Sequence, residues 1–487
     1  MEAPRHLPNE LLLMIGQHVD DLKTKRSLVG YSRQFYHLFL PLLYSRLDLS
    51  SMFRREGLGV FCEVGIPLIQ NICRRPNLAS FVRCLKIVAD DPTNIHRGDR
   101  RHVELLKGDV NIDISLLSSV LNEVCGDWYN PKDWLWQLLL LSDEAWVGVL
   151  LTRLSHVREL FVSYGLPDLA QRYLNKAAER WKPFQESPPF SFLREVEIGS
   201  LAAREVPYNG FSTYYVDINL VRPFFYLPAV RKITITGVQN QPLVYTSHIA
   251  LDTSCITNPT HSVTELSIDG VVGIGVIDDW LAACGPLRSF KMQYGCYPHW
   301  DPYEMVLNNL FEPRELRKSL LQYSQSLEDL TVCFPPWYPT MREVGFADDE
   351  DIIDCERISF GSFKEFSVLK TLAIPHHNLM MPVQPRNVDE DIFLGDLLPS
   401  SLEHLSIFQI DGDKFSRLVS NLIQMICERE IHVLHLEAIT LEMDLVTYSN
   451  DSVDHANCED FVLLETACSD HGMRLNRENV RKPDWSE

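Results

Sequence analysis

One short phrase recurs along this chain of 487 residues: apolar-x-x-apolar-x-apolar. Copies start at Val82, Val157, Leu193, Val230, Val263, Leu287, Leu327, Leu369, Leu402 and Ile431. Successive starts lie 24 to 42 residues apart, save one double-length step of 75 between Val82 and Val157. The last three positions of each copy have period two. They predict a short strand with one buried face, and the leading apolar residue sits at the turn into it. Helical patterning falls between copies, at 278–284, 314–323, 418–428 and, longest, 132–154. A unit of one strand and one helix cannot bury its apolar face alone. Stacked units bury it against their neighbours, so the pattern predicts an α/β solenoid with parallel strands lining a concave side and helices behind. An ordinary α/β domain with a mostly parallel sheet is the alternative, and the absence of a nucleotide fingerprint counts against it.

The LxxLxL core of these copies resembles the leucine-rich repeat. The Asn or Cys that usually follows is missing and the steps are uneven, so the resemblance implies an irregular horseshoe over residues 51–487 with large loops. Two loops interrupt the rhythm. Residues 90–130 hold His96, Arg97, Arg100, Arg101 and His102; residues 335–361 hold Pro335, Pro336, Trp337, Tyr338 and Pro339, then the acidic run Asp348, Asp349, Glu350 and Asp351. A third candidate loop, 375–390, is rich in Pro and His, and a capping helix is expected at 461–470. The outward strand positions Glu195, Glu197, Thr234, Ser267, Asp269, Lys291, Thr331 and Ser406 form the candidate substrate surface. Trp337 and Tyr338 join them as candidate anchors, since Trp and Tyr dominate binding hot spots. Whether the substrate is phosphorylated is left open by the sequence, and the copies supply few clustered arginines.

The first fifty residues form a second kind of segment. Pro8 sits where its missing N–H costs a helix little, and Leu11, Leu12, Ile15 and Val19 follow at helical spacing. Asp20, Asp21, Lys23 and Lys25 read as a polar break. A second helical run holds Leu28, Val29, Phe35 and Leu38, and a third follows Pro41 through Leu42, Leu43 and Leu47. So short a segment buries too little apolar surface to offset its chain entropy and needs a partner. The motifs Leu7-Pro8-Asn9-Glu10-Leu11-Leu12, Ser32-Arg33-Gln34-Phe35-Tyr36 and Pro41-Leu42-Leu43-Tyr44 resemble a fungal F-box spanning residues 1–50. Phe35 stands where Trp is common, and Gly30 is unusual inside the second helix. The resemblance implies that Leu7, Pro8, Leu11, Leu12, Ile15, Val19, Leu28, Val29 and Leu42 dock the Skp adaptor of a cullin–RING ubiquitin ligase. The chain would then be the substrate-recognition adaptor of that ligase and do no bond chemistry itself. The alternative is a stand-alone interaction scaffold whose N-terminal helices merely cap the repeats.

The net charge of −21 argues against general nucleic-acid binding, which needs a basic surface. No stretch is apolar over the roughly 18 residues that span a bilayer, and the first residues lack a signal peptide's basic region and apolar core. A cytosolic or nuclear protein is expected. The twelve cysteines show no CxxC pair, so they read as buried small hydrophobes. No nucleotide cradle, nucleophile elbow or HExxH is present, so neither catalytic residues nor a cofactor is expected. His432 and His435 would point to opposite faces of a strand, which suits no metal. His376 and His377 read as loop residues. Asp411, Gly412 and Asp413 lack the twelfth-position Glu of a calcium loop. The cluster Trp128, Trp134, Trp136 and Trp146 reads as core.

Overall fold

The computed structural model describes residues 7–19, 21–49, 64–88, 111–125, 129–163, 168–180, 184, 190–199, 216–239, 259–294, 313–334, 359–380, 393–410, 415–443 and 451–479. The chain divides into two compact units, residues 1–237 with 241–262 and residues 238–240 with 263–487.

The first unit opens with helices α1 (Asn9–Gln17), α2 (Leu22–Tyr31) and α3 (Arg33–Tyr44). Its strands are β1 (Arg46–Asp48), β2 (Cys84–Val88), β3 (Glu159–Ser163), β4 (Glu195–Gly199), β5 (Val216–Asp217) and β6 (Lys232–Gln239). They pair in the order β1-β2-β3-β4-β6, each pairing parallel, and β5 pairs with β6 off this path. Helices Ile66–Arg74, Ile114–Val124, Pro131–Leu139, Asp143–Arg153 and Asp168–Ala178 lie between the strands. The second unit holds β7 (Glu265–Val271), β8 (Ser289–Tyr294), β9 (Asp329–Cys333), β10 (Thr371–Pro375), β11 (His404–Phe408), β12 (Ala438–Met443) and β13 (Arg474–Asn479), again all parallel and in sequence order. Its longer helices are Ile274–Ala283, Pro313–Leu320, Phe415–Cys427 and Asp451–Asp470.

The register explains why the phrase repeats. Leu47, Leu85, Leu160, Val196 and Ile233 stand side by side on successive strands of the first unit, all buried. In the second unit Leu266, Phe290, Leu330, Leu372, Leu405 and Ile439 do the same. Burying each such side chain stabilises the array by about 1.5–3 kcal/mol, and only an adjoining turn can supply the cover. Serines just ahead of two copies bond backbone across the turns. Ser326 Oγ donates to the Leu287 carbonyl at 2.9 Å, and Ser401 Oγ to the Leu369 carbonyl at 2.8 Å.

Several sequence expectations are corrected. The last copy starts at Leu436, not Ile431. Residues Arg429–His432 form a short helix, and Ile439 pairs with Leu405. An earlier copy was overlooked inside the first fifty residues, where Leu47 and Leu49 are buried and β1 pairs with β2. Leu47 is therefore a strand residue rather than part of a helix begun by Pro41, and Pro41 lies within α3. The run through Leu28 and Phe35 is two helices, broken at Ser32, whose extended backbone lets its Oγ accept from the Phe35 N–H at 3.1 Å. Lys23 and Lys25 lie inside α2, because Asp21 caps that helix by accepting from the N–H groups of Lys23 and Thr24. The long helix expected at 132–154 is two helices separated at Leu140–Ser142, with Leu141 at φ 60°. The terminal helix runs Asp451–Asp470, longer than expected, and leads into β13, whose sequence carries too few apolar residues to display the phrase.

Candidate functional site

Two surfaces result from this construction. The first is built on α1–α3. Gly16 lets α1 lie directly on α3: a Cβ there would stand 2.4 Å from Phe39 Cε1 and 2.9 Å from Leu42 Cδ1. Phe39 is the buried centre, and Phe35 packs edge-on against it at 5.2 Å between ring centroids. Gln34 Nε2 donates to Asn9 Oδ1 at 2.8 Å and ties the start of α3 to the start of α1. The Asp21 carboxyl is held below its usual range by the Thr24 hydroxyl and by the backbone N–H groups of Thr24 and Lys23.

This small core leaves a broad apolar surface uncovered. Leu7, Leu11 and Ile15 are 51%, 44% and 52% exposed. Pro8 is exposed as well, while Leu12, Val19, Leu28, Val29 and Leu42 are half-buried. Met14, Leu22, Tyr31 and Tyr36 are exposed too and were not singled out from the sequence. Met14 lies one turn from Leu11 on α1, so the helical spacing itself could have found it. Leu11, Met14 and Ile15 share one face of α1 by their spacing.

The second surface is the outward face of the strands. Ser267, Lys291, Thr331 and Ser406 fall in one lateral row of the second unit, with Ala373 between the last two. Asp269 lies two residues further along β7, opposite Gln293. In the first unit Glu195 is in register with Lys232, at 3.9 Å between charged atoms, and Glu197 with Thr234. The candidate residues thus fall in two groups, one in each unit. Trp337 and Tyr338, and the loops containing them, lie outside the described residues, as do His96, Arg97, Arg100, Arg101, His102 and residues 411–413.

The remaining residues take structural places. His432 ends a short helix, with its ring edge-on to Phe393 at 5.0 Å; His435 follows in a turn, so neither is in a strand. His376 and His377 open the helix His376–Met380 rather than a loop, and His377 Nε2 lies 2.6 Å from the Phe334 carbonyl oxygen. Trp134 and Trp146 are buried, and their indole N–H groups donate to the carbonyls of Ala145 and Leu138. Trp136 departs from the core expectation at 61% exposed, and Trp128 is outside the described residues. Cys73, Cys125, Cys284, Cys333 and Cys468 are buried, whereas Cys427 is exposed. Burial pushes the thiols of Cys73 and Cys125 up to about 11 and that of Cys284 to about 12, so they are poor nucleophiles. Among the described residues no group of three or more His, Cys, Asp and Glu could hold a metal ion, and no helix is long and apolar enough to cross a membrane.

One expectation is reversed by the register. The arginines of the copies are clustered. Arg83, Arg158, Arg194 and Arg231 each follow the leading residue of their copy, and backbone hydrogen bonds set them on adjacent strands.

No curated protein matches the chain. The family model described as leucine-rich repeat domain matches residues 62–469, which takes in most of both units. A domain of this family is a protein-interaction module and is typically non-catalytic. With its parallel strands, recurring buried ladder and intervening helices, the chain belongs to the leucine-rich repeat domain family.

Proposed function

We propose that this protein is the substrate-recognition adaptor of a Skp–cullin–F-box ubiquitin ligase, in which α1–α3 dock the Skp adaptor and the repeats bind the substrate. The observation that carries the reading is the apolar surface of Leu7, Leu11, Met14, Ile15 and Leu22, left half exposed on helices whose own core is little more than Gly16, Phe39 and Leu42. Helices that only closed the end of the array would turn such residues inward. An interface of about 1,600 Å² would cover them. The catalytic step then belongs to the ligase partners. This chain raises the substrate's effective concentration near activated ubiquitin.

The capping reading has one observation in its favour: β1, immediately after α3, pairs with β2 and so continues the repeat array. A pull-down with the Skp adaptor distinguishes the two. Leu11→Asp/Ile15→Asp places charge on the exposed face and leaves the Phe39 core intact. The docking reading expects the wild type to be retained and the variant lost, with an unchanged melting temperature. If the wild type is not retained, or both bind alike, docking is refuted. A fall in melting temperature of the whole array would favour the cap.

A further inference from the structure

The arginine column of the first unit is positioned by backbone. The Arg83 carbonyl accepts from the N–H of Arg158 at 2.7 Å, the Arg158 carbonyl from that of Arg194 at 2.8 Å, and the Arg194 carbonyl from that of Arg231 at 2.8 Å. The four residues therefore stand side by side at the starts of β2, β3, β4 and β6, spanning about 14 Å at the usual strand spacing. Arg158, Arg194 and Arg231 are exposed, and Arg83 is half-buried. Arg83 Nη1 donates to the His156 carbonyl, and Arg231 Nη1 to the carbonyls of Pro228, Val230 and Ser262, all neutral acceptors. Arg158 and Arg194, in the middle, form no ion pair among the described residues.

The equivalent column of the second unit is built differently. There Arg288, Glu328, Lys370, Glu403, Glu437 and Arg474 follow one another with both signs present, and the Glu328 carboxylate lies 3.8 Å from Arg288 Nε and 3.5 Å from Lys370 Nζ. Like charges opposite one another on neighbouring strands destabilise a sheet, and alternating charges do not. The second unit's column sets like charges side by side once, at Glu403 and Glu437, whereas the first unit's does so at each of its three steps from Arg83 to Arg231. Four arginines in a chain of net charge −21 form a local cationic strip. Beside it, at the turns before β3 and β4, the rings of His156 and Phe192 stack with centroids 5.0 Å apart, and Phe192 is 47% exposed.

From this arrangement we propose that the strip binds an extended acidic protein segment, its carboxylate or phosphoryl groups on Arg158 and Arg194 and an apolar residue against Phe192. Guanidinium groups grip both anions through paired N–H donors, and about 14 Å is the reach of four to five extended residues. A nucleic acid fits less well, because the strip is too short to follow a phosphate backbone. The inference rests on the repeats being the recognition surface and is independent of adaptor docking.

Fluorescence anisotropy on the full chain tests it. The probes are a labelled peptide with two Glu on either side of a central Leu, its phosphoserine counterpart, its Gln counterpart, and an oligothymidylate. At least one acidic peptide should bind saturably, about tenfold or more tighter than the Gln peptide, and should weaken with added salt. The tighter of the two identifies the anion. Arg158→Gln/Arg194→Gln should weaken that binding about tenfold or more, with a melting temperature no lower than that of the wild type and unchanged adaptor retention. Arg288→Gln/Lys370→Gln should leave it as in the wild type. Leu11→Asp/Ile15→Asp should also leave peptide binding unchanged, which separates failure of docking from failure of this site. The proposal is overturned if neither acidic peptide saturates, if the Arg158/Arg194 variant binds like the wild type, or if the oligothymidylate binds more tightly than both peptides.

Discussion

Leu330→Ala tests the stacked-ladder account most directly. Leu330 is fully buried in β9, in register with Phe290 on β8 and Leu372 on β10. Cutting it back removes three carbon atoms from an interior with close neighbours on both sides. The lost transfer free energy is about 2.4 kcal/mol at roughly 0.8 kcal/mol per carbon. The unfilled cavity adds to it, so the expected loss is about 3–4 kcal/mol. Leu475 on β13 occupies the same register position beside Ile439. It is half-buried on the last strand of the sequence-ordered run, so Leu475→Ala should cost about 1–1.5 kcal/mol. Urea unfolding monitored by circular dichroism measures both. For a unit of this size the larger loss corresponds to a melting shift of roughly 10 °C. The reasoning is refuted if Leu330→Ala costs less than about 1 kcal/mol or if the two variants cost the same.

Two further outcomes follow from local geometry. Gly270 in β7 has φ +153°, and a Cβ there would meet the Val238 backbone oxygen at 2.2 Å, so Gly270→Ala should destabilise the second unit by about 2 kcal/mol or more in the same unfolding experiment. Asp113 caps the helix Ile114–Val124, and the backbone N–H of Leu116, the Ser115 hydroxyl and Arg74 hold its carboxyl down at about 2. A depressed carboxyl stabilises the fold above its ordinary value of 3.8 and loses that contribution as pH falls toward about 2. The difference in melting temperature between wild type and Asp113→Ala should therefore be constant above about pH 5 and shrink steadily in more acidic buffer; a difference that is already gone at neutral pH would contradict the cap.

The repeat was legible because its signal is local. Wherever an apolar residue must face the next turn, the phrase reappears, and nine of the ten copies mark a strand at the expected place. The tenth was misplaced because Ile431, Leu434 and Leu436 mimic the spacing on the short helix Arg429–His432 and the turn after it, where Ile431 is 75% exposed. β1 lacks a signal because Leu47 and Leu49 follow a helix without a turn, and β13 because Arg477 stands in register with the buried Leu441, where the phrase has an apolar residue. On α1–α3 the apolar pattern marked Leu7, Leu11 and Ile15, which are exposed, but not Met14 or Leu22, which are exposed as well. Met14 is exposed because the Gly16–Phe39 contact fixes how α1 rolls on α3, and spacing along one helix does not specify that roll.

The sequence by itself determined that this chain is an array of strand-and-helix units with an apolar helical start, since hydrophobic period and spacing follow from chain geometry alone. Only the tertiary structure decided which outward residues share a surface. Ser267, Lys291, Thr331 and Ser406 are far apart in sequence yet form one row, and four scattered arginines become one strip. The physical reason is register. Backbone hydrogen bonds between parallel strands bring residues separated by 24 to 75 positions to neighbouring places, and those bonds form between groups that every residue carries alike.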